Sequence, residues 1–146
     1  MRLKKYTDYA LRVLIYTASK NEKTSINEIS DTFFISTEHI RKVVHQLSVN
    51  GYIETIRGRN GGMILAKEPK DINVGAVVRL MENDFYMLEC FDGNHNQCVI
   101  TSACHLKHAV AKAIAAFFQV LDGYTLEDLV GNKEELKQLM NIDMES

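Results

Sequence analysis

Residues 90 to 108, CFDGNHNQCVITSACHLKH, contain all three cysteines of the chain and three of its five histidines. Thiolates are ligands for zinc and for iron–sulfur clusters. Seven residues separate Cys90 from Cys98 and five separate Cys98 from Cys104, so neither interval has the short form of a zinc knuckle. Bacterial ferredoxin spacing is also absent. The spacing leaves two hypotheses open: three reduced thiols, or an iron–sulfur cluster held by this loop.

A cluster bound by three thiolates needs one more ligand. The nearby candidates are His95, His105 and His108, with the carboxylates of Glu89 and Asp92 less usual. An odd number of cysteines cannot be fully paired within one subunit, so a structural disulfide framework is not expected. Metal binding and redox sensing both gain weight as a result.

Charge divides the chain into two unlike halves. Residues 1–67 hold 11 Lys and Arg against 6 Asp and Glu, whereas residues 68–146 hold 6 against 13. A basic first half is the expected footprint of a protein that binds a polyanion such as DNA. There is no run of 18 apolar residues and no cleavage site after the short apolar run near the N-terminus, so we expect a cytoplasmic protein without a membrane partner.

The first half has the periodicity of three helices. Apolar residues recur at helical spacing in YTDYALRVLIYTASK, and the pair Ser25 and Glu28 forms a capping box for a second, short helix. A third helix begins after Ser36 or Thr37 and ends at Asn50, with an apolar face that Ile40, Val43, Val44 and Leu47 share. Two short helices joined by a tight turn, the second amphipathic and basic, predict a helix-turn-helix.

A hairpin follows the third helix. The β-prone runs at 52–56 and 63–65 flank the loop RGRNGG, which is both glycine-rich and cationic. The sequence therefore predicts a mainly α fold with a small β wing, a winged helix-turn-helix. The candidate DNA contacts are Thr37, His39, Arg41 and Lys42 in or near the major groove, and Arg57 and Arg59 at phosphate or a narrow minor groove.

The second half predicts a short helix capped at Asn73 or Asp71 that ends before Asn83, and then an irregular cysteine loop. It also predicts an Ala-rich helix from about Cys104 to Asp122 and a last helix capped by Thr125 and Asp128. The Ala-rich helix is apolar on two stripes, which favours a homodimer formed through it over a helix buried within one chain. We therefore expect a DNA-binding domain at 1–70 and a cluster-binding and dimerisation region at 71–146.

Five stretches of the chain, which together cover most of it, resemble one known family. They are MRLKKYTDYALRVLIYTA, YIETIRGRNGGMILA, PKDINVGAVVRLME, ECFDGNHNQCVITSACHLKHAV and FFQVLDGYTLEDLV. These stretches are similar to the nitric-oxide-sensing repressors of the IscR-like winged-helix family, in the form found in Gram-positive bacteria. The resemblance implies a homodimer that binds a palindromic DNA operator and releases it when nitric oxide attacks an iron–sulfur cluster.

The same resemblance implies the ligands of the cluster. Cys90, Cys98 and Cys104 would bind a 4Fe–4S cluster, favoured over 2Fe–2S, and Asp8 of the partner subunit would be the fourth ligand. By itself, the sequence predicts that Asp8 is an ordinary solvent-facing helix residue. IscR-like sensors of cluster status use a histidine three residues after the last cysteine, but Lys107 occupies that position here.

An IscR-like sensor of iron–sulfur cluster status remains as an alternative, and two further functions stay open. One is a winged-helix repressor that senses redox state through a thiol switch, with a disulfide such as Cys98 to Cys104 and no cluster. The other is an adaptor, or a zinc-dependent enzyme built on the cysteine loop. No HExxH motif, glycine-rich phosphate loop or nucleophile elbow is present, so an enzyme is not expected.

Overall fold

The computed structural model describes residues 1–142, and residues 143–146 of the predicted second region lie outside the described part. Seven α-helices and one two-stranded antiparallel sheet are present in residues 1–142. The predicted mainly α fold with a small wing is confirmed. The elements are α1 (Lys5–Lys20), α2 (Ile26–Phe33), α3 (Thr37–Val49), β1 (Ile53–Ile56), β2 (Gly62–Leu65), α4 (Val74–Glu82), α5 (His105–Asp122), α6 (Leu126–Leu129) and α7 (Lys133–Leu139).

The helix-turn-helix forms where local capping predicts it. Ser25 and Glu28 make the reciprocal hydrogen bonds of a capping box at the start of α2, and the Ser36 hydroxyl caps α3. The predicted apolar face of α3 is buried. In the turn between the two helices, Phe34 has left-handed backbone angles, with φ 57° and ψ 43°, and its side chain is 94% exposed.

The wing is tied to the helices by a third extended segment. β1 pairs with β2 from Ile53–Leu65 to Ile56–Gly62, and Met63 exchanges two backbone hydrogen bonds with Thr24, which lies just before α2. Gly62 has φ 156°, and a Cβ at this position would lie 2.8 Å from the Thr24 carbonyl oxygen. Glycine is therefore required for the wing to approach the helix-turn-helix this closely.

The second half returns to the first and shares its core. Asn73 pairs with Thr125, and Leu126 donates its N–H to the Ile72 carbonyl, so α6 and α7 lie against α1. One hydrophobic cluster includes residues of α1 to α4 together with Leu126, Val130, Met140 and Ile142. α7 was not predicted from the sequence. The division at residue 70 stays a prediction, because this core contains residues from both sides of it.

A close contact fixes the long helix to the rest of the subunit. A Cβ at Gly75 would lie 1.9 Å from Asp122 Oδ1 and 3.1 Å from the Asp122 backbone nitrogen, so a larger residue here would displace the Asp122 carboxylate. Arg79 donates two hydrogen bonds to Asp122, of 2.5 and 2.9 Å, and its guanidinium lies 4.4 Å from the centre of the Phe118 ring. The hydrogen bond from Arg79 lowers the pKa of Asp122. These contacts hold the C-terminal half of α5.

The backbone of Phe34 yields a stability prediction. A non-glycine residue in the left-handed region costs about 1 to 2 kcal/mol, part of which glycine loses again through its freer unfolded chain. We expect Phe34→Gly to raise the free energy of unfolding by about 1 kcal/mol, measured by urea denaturation. Phe34→Ala removes the same exposed ring but keeps the Cβ, so an equal gain in both variants would contradict a backbone origin.

Glu28 yields a pH prediction. Burial raises the pKa of Glu28, but hydrogen bonds from Lys20 and from the Ser25 N–H outweigh it and leave that pKa below the usual 4.5. A depressed pKa contributes stability above the unfolded-state pKa, and this stability is lost as the pH falls through the folded-state pKa. We expect wild type to lose more unfolding free energy than Glu28→Gln between about pH 5 and pH 3. Equal pH profiles for the two proteins would be the contrary result.

Candidate metal centre and nucleic-acid interface

The cysteines lie on the irregular segment between α4 and α5. Cys90 is half-buried within a 3₁₀ turn at Glu89–Phe91, Cys98 is exposed, and Cys104 is half-buried at the N-cap of α5. All three thiols are free. The sequence prediction of an irregular cysteine loop leading into a helix is therefore confirmed.

Polar contacts give the loop around Cys98 a defined shape. The Cys98 N–H donates to Asn96 Oδ1 at 3.0 Å, and the Thr101 hydroxyl donates to the Cys98 carbonyl at 2.9 Å. Asn96 Nδ2 also donates to the Thr101 hydroxyl oxygen at 3.0 Å, which closes a ring of three hydrogen bonds. The Gln97 N–H donates to Glu89 Oε2, which links this ring to the turn that carries Cys90. Two cysteine-bearing turns are thus joined before any ligand is considered.

The local histidines do not complete a site in one subunit. His95 Nδ1 lies 2.9 Å from Asp92 Oδ2, and both His105 and His108 are exposed on α5. Within residues 1–142, no three side chains of His, Cys, Asp or Glu are grouped so that they could hold a single metal ion. A fourth ligand is therefore not supplied by a preassembled local cluster of these residues.

The donor set nevertheless suits an iron–sulfur cluster. Three unpaired thiols on one loop provide soft sulfur ligands, which such clusters require, and the loop has no buried residue that would resist rearrangement. A cluster is also larger than a single ion, so its ligands need not converge on one point. Cys90, Cys98 and Cys104 thus fit the group by chemistry and accessibility.

Asp8 lies in the first turns of α1 and is held by Arg12. The guanidinium donates from Nε to Asp8 Oδ1 at 2.9 Å and from Nη2 to Asp8 Oδ2 at 2.8 Å. Arg12 is itself positioned over the rings of Tyr9 and Phe33. The Asp8 side chain is 48% exposed, so it stays accessible to a second subunit. The expectation of a solvent-facing helix residue is met only in part, because both carboxylate oxygens are engaged.

The first turn of α3 lies against α1. Thr37 is the first residue of α3 and is half-buried. The His39 ring is also half-buried, with ring centres 5.6 Å from Tyr6 and 6.2 Å from Tyr9. The sequence predicts His39 as a DNA contact and does not predict these contacts; the tyrosines at 6 and 9, one helical turn apart, were the available signal.

The other predicted contact residues are exposed. Arg41 lines a cleft together with Thr55, Gly61 and the start of α2, so α3 and the wing share one side of the molecule. Lys42 Nζ lies 3.6 Å from Glu38 Oε1, at i,i+4 spacing on α3. Because this ion pair is exposed, it contributes little to stability. The arrangement leaves both cations free to meet a polyanion.

The wing loop presents its arginines to solvent. Arg57 and Arg59 are exposed, and the loop is closed by a 2.9 Å hydrogen bond from the Gly61 N–H to the Gly58 carbonyl. Lys23 donates from Nζ to the Asn60 carbonyl, which anchors the loop tip to the segment before α2. A fixed cationic loop beside an amphipathic helix is a suitable surface for the DNA backbone.

Helix α5 has no buried residue, although two-thirds of its residues are apolar or small. An apolar groove is lined by Met1, Phe85, Met87, Ala113, Ile114, Ala116, Phe117 and Val120. A helix buried within its own subunit, the alternative to a dimer helix, is therefore not what the structure shows. Among residues 1–142, no helix is both long and apolar enough to cross a membrane.

Comparison with known proteins identifies the relatives. Residues 3–132 match the Rrf2 family, described as an iron-dependent transcriptional regulator. The HTH-type transcriptional regulator NsrR of Oceanobacillus iheyensis is 56% identical over 98% of this chain and 99% of the relative. A protein of the same name from Bacillus subtilis is 50% identical over 97% of this chain and 99% of the relative. The predicted family resemblance is confirmed, and these relatives are regulators rather than enzymes.

Solved structures agree on the fold. CymR, the global cysteine regulator of B. subtilis, has a TM-score of 0.69 at 27% identity and covers 90% of this chain and 98% of its own. IscR of T. potens has a TM-score of 0.71 at 23% identity, over 94% of this chain and 91% of its own. Both support the winged helix-turn-helix architecture.

The wing generates a DNA-binding prediction. We expect Arg59→Ala to weaken binding to operator and to unrelated DNA by a similar factor, because a phosphate contact is independent of sequence. The plot of log affinity against log salt should become shallower by about one unit. Lys70→Ala, an exposed cation outside the wing, is the matched control. An unchanged salt slope for Arg59→Ala would count against a phosphate contact.

Proposed function

The chain belongs to the Rrf2 family of transcriptional regulators, and we propose that it is a DNA-binding repressor that senses nitric oxide through an iron–sulfur cluster. The observation that carries the sensing half of this proposal is the set of three free thiols on one poorly packed loop, directly before the helix α5, which has no buried residue. The relatives named NsrR support the same assignment. A regulator of this kind acts on DNA in the cytoplasm.

Operator binding follows from a symmetric dimer. The uncovered apolar groove on α5, with Ile114, Phe117 and Val120 among its residues, is the surface through which a second copy would pack. Two copies of α3 could then enter successive major grooves of a palindromic operator, about 34 Å apart. Thr37, His39, Arg41 and Lys42 would lie at or near the bases, and Arg57 and Arg59 of each wing would contact phosphate or the minor groove.

The residues that would hold the cluster come from both subunits. Cys90, Cys98 and Cys104 would supply three thiolates, and Asp8 of the partner subunit the fourth ligand. A 4Fe–4S cluster, which we favour over 2Fe–2S, would supply an iron that nitric oxide can bind. A carboxylate oxygen is a poor match for cluster iron compared with thiolate, so the Asp8 position is the one most easily exchanged.

Asp8 must change partners to take this role. Both of its oxygens now accept hydrogen bonds from Arg12, so ligation would cost at least one of those bonds. Since Arg12 also lies over Tyr9, which stacks on His39, a change at Asp8 affects residues in contact with the start of α3. Ligation of Asp8 by the cluster of the other subunit would thus act on the recognition helix of its own subunit.

Iron and acid-labile sulfide per subunit test the proposal. Anaerobically prepared wild type should be brown, contain both elements and lose its visible absorption with nitric oxide, while operator binding weakens. Asp8→Ala should keep sulfide but show altered spectra and altered operator affinity, because the three thiolates remain. Asp31→Ala, an exposed aspartate on α2, should match wild type.

Other outcomes select other functions. A colourless wild-type protein whose operator affinity changes with formation of a disulfide, such as Cys98 to Cys104, would favour the thiol switch. Release of the operator on cluster loss but not on exposure to nitric oxide would favour a sensor of cluster status. Unaltered spectra in Asp8→Ala would remove Asp8 from the ligand set.

A further inference from the structure

Glu82, the last residue of α4, is a carboxylate buried away from solvent. Only 5% of the surface of this residue is exposed to solvent. One carboxylate oxygen, Oε2, accepts hydrogen bonds from the Lys4 N–H at 2.9 Å and from the hydroxyl of Thr7, a residue that is fully buried. The Glu82 carbonyl accepts another hydrogen bond, of 2.5 Å, from Lys4 Nζ. Glu82 is thus attached to the start of α1 by three bonds.

The Glu82 carboxylate is unfavourably located for α4 and favourably located for α1. A carboxylate in the last turn of α4 lies at the negative end of that helix dipole. At the same time it lies at the positive end of α1, whose N-cap, Lys4, has no side-chain cap of its own. Glu82 therefore caps α1 from outside, and this contact between distant residues was not predicted from the sequence.

The backbone after Glu82 makes the connection short and strained. Asn83 has φ 67° and ψ −45°, and the Asp84 N–H donates to the Glu82 carbonyl at 2.7 Å, which is a tight three-residue turn. The cysteine segment begins at this point. A displacement of the segment therefore reaches Glu82 through one residue that has little conformational freedom.

We propose that Glu82 is a positioning residue that couples the cysteine segment to α1 and, through α1, to the recognition helix. The proposal rests on the proposed function and assigns the regulatory connection within each subunit. The contacts form a continuous path: Glu82 holds Lys4 and Thr7, and Tyr6 and Tyr9 of the same helix pack on His39 in α3.

This connection gives the first turns of α1 two inputs. Thr7 is bound to Glu82 of its own subunit, whereas the neighbouring Asp8 is the proposed ligand for the cluster of the other subunit. Loss of order in either cysteine segment would then act on the same turn of helix. Each recognition helix would respond to both sensor loops of the dimer.

Hydrogen exchange of cluster-free protein tests the coupling without any cofactor. Thr7→Val keeps the shape of the buried side chain and removes the hydroxyl group that donates a hydrogen bond to Glu82. We expect faster exchange in residues 4–8 and also in residues 84–91, because coupling between two sites is reciprocal. Thr7→Ser keeps the hydroxyl and should restore wild-type exchange. Glu28→Ala, which removes a cap on α2, controls for general destabilisation.

Two results would overturn the proposal. One is wild-type exchange in residues 84–91 of Thr7→Val, and the other is equal acceleration there in Glu28→Ala. If wild type contains no iron or sulfide, the proposed function fails, but the exchange comparison still decides the role of Glu82.

The loaded protein provides a second measurement. The ratio of operator affinities with and without the cluster should fall by about fivefold or more in Thr7→Val, and Glu82→Gln, which keeps an oxygen for both donors, should lose less. A variant that is merely less stable, as expected for Glu28→Ala, should keep the wild-type ratio. An unchanged ratio in Thr7→Val would contradict the coupling.

Discussion

The burial of α1 is the constraint on which the rest of the structure depends. This helix packs against α3, α4, α6, α7 and β2, and residues on most of its circumference, including Thr7, Ala10, Val13 and Thr17, are inaccessible to solvent. Because protein interiors are close-packed, α1 cannot shift without disturbing the elements around it. Helix α1 is therefore the element that connects the helix-turn-helix, the helix α4 that leads to the cysteine segment, and the C-terminal helices.

The segment from Asn83 to Thr125 is, in contrast to α1, loosely packed. From Asn83 to Thr125 no residue is buried, although this range includes a long helix with many apolar side chains. A segment that removes little apolar surface from water contributes little to its own stability, so its order depends on what it contacts. It is attached to the rest of the subunit at its two ends, next to Glu82 and at Asp122, which pairs with Arg79 and accepts a hydrogen bond from Asn73.

Local rules predicted most of the elements and few of the contacts between them. The capping box at Ser25 and the buried face of α3 could be predicted because capping and periodicity are properties of neighbouring residues. The attachment of Glu82 to Thr7 joins residues 75 positions apart, and nothing in RLMEND marks this acid as buried. The stacking of His39 on Tyr9 also joins distant residues, and the spacing of Tyr6 and Tyr9 alone does not specify it. For the site, the sequence located the three thiols, whereas the position of Asp8 relative to them depends on a second chain.

A loosely packed segment attached to a tightly packed helix is a physical basis for a switch. Ligands bound by Cys90, Cys98 and Cys104 would restrict the segment where its own packing does not, and the free energy of that restriction can appear only where the segment is bonded to something rigid. Next to the strained turn at Asn83, Glu82 attaches the start of this segment to the rigid helix α1. Binding at the thiols would therefore be transmitted to the helix that supports the recognition helix.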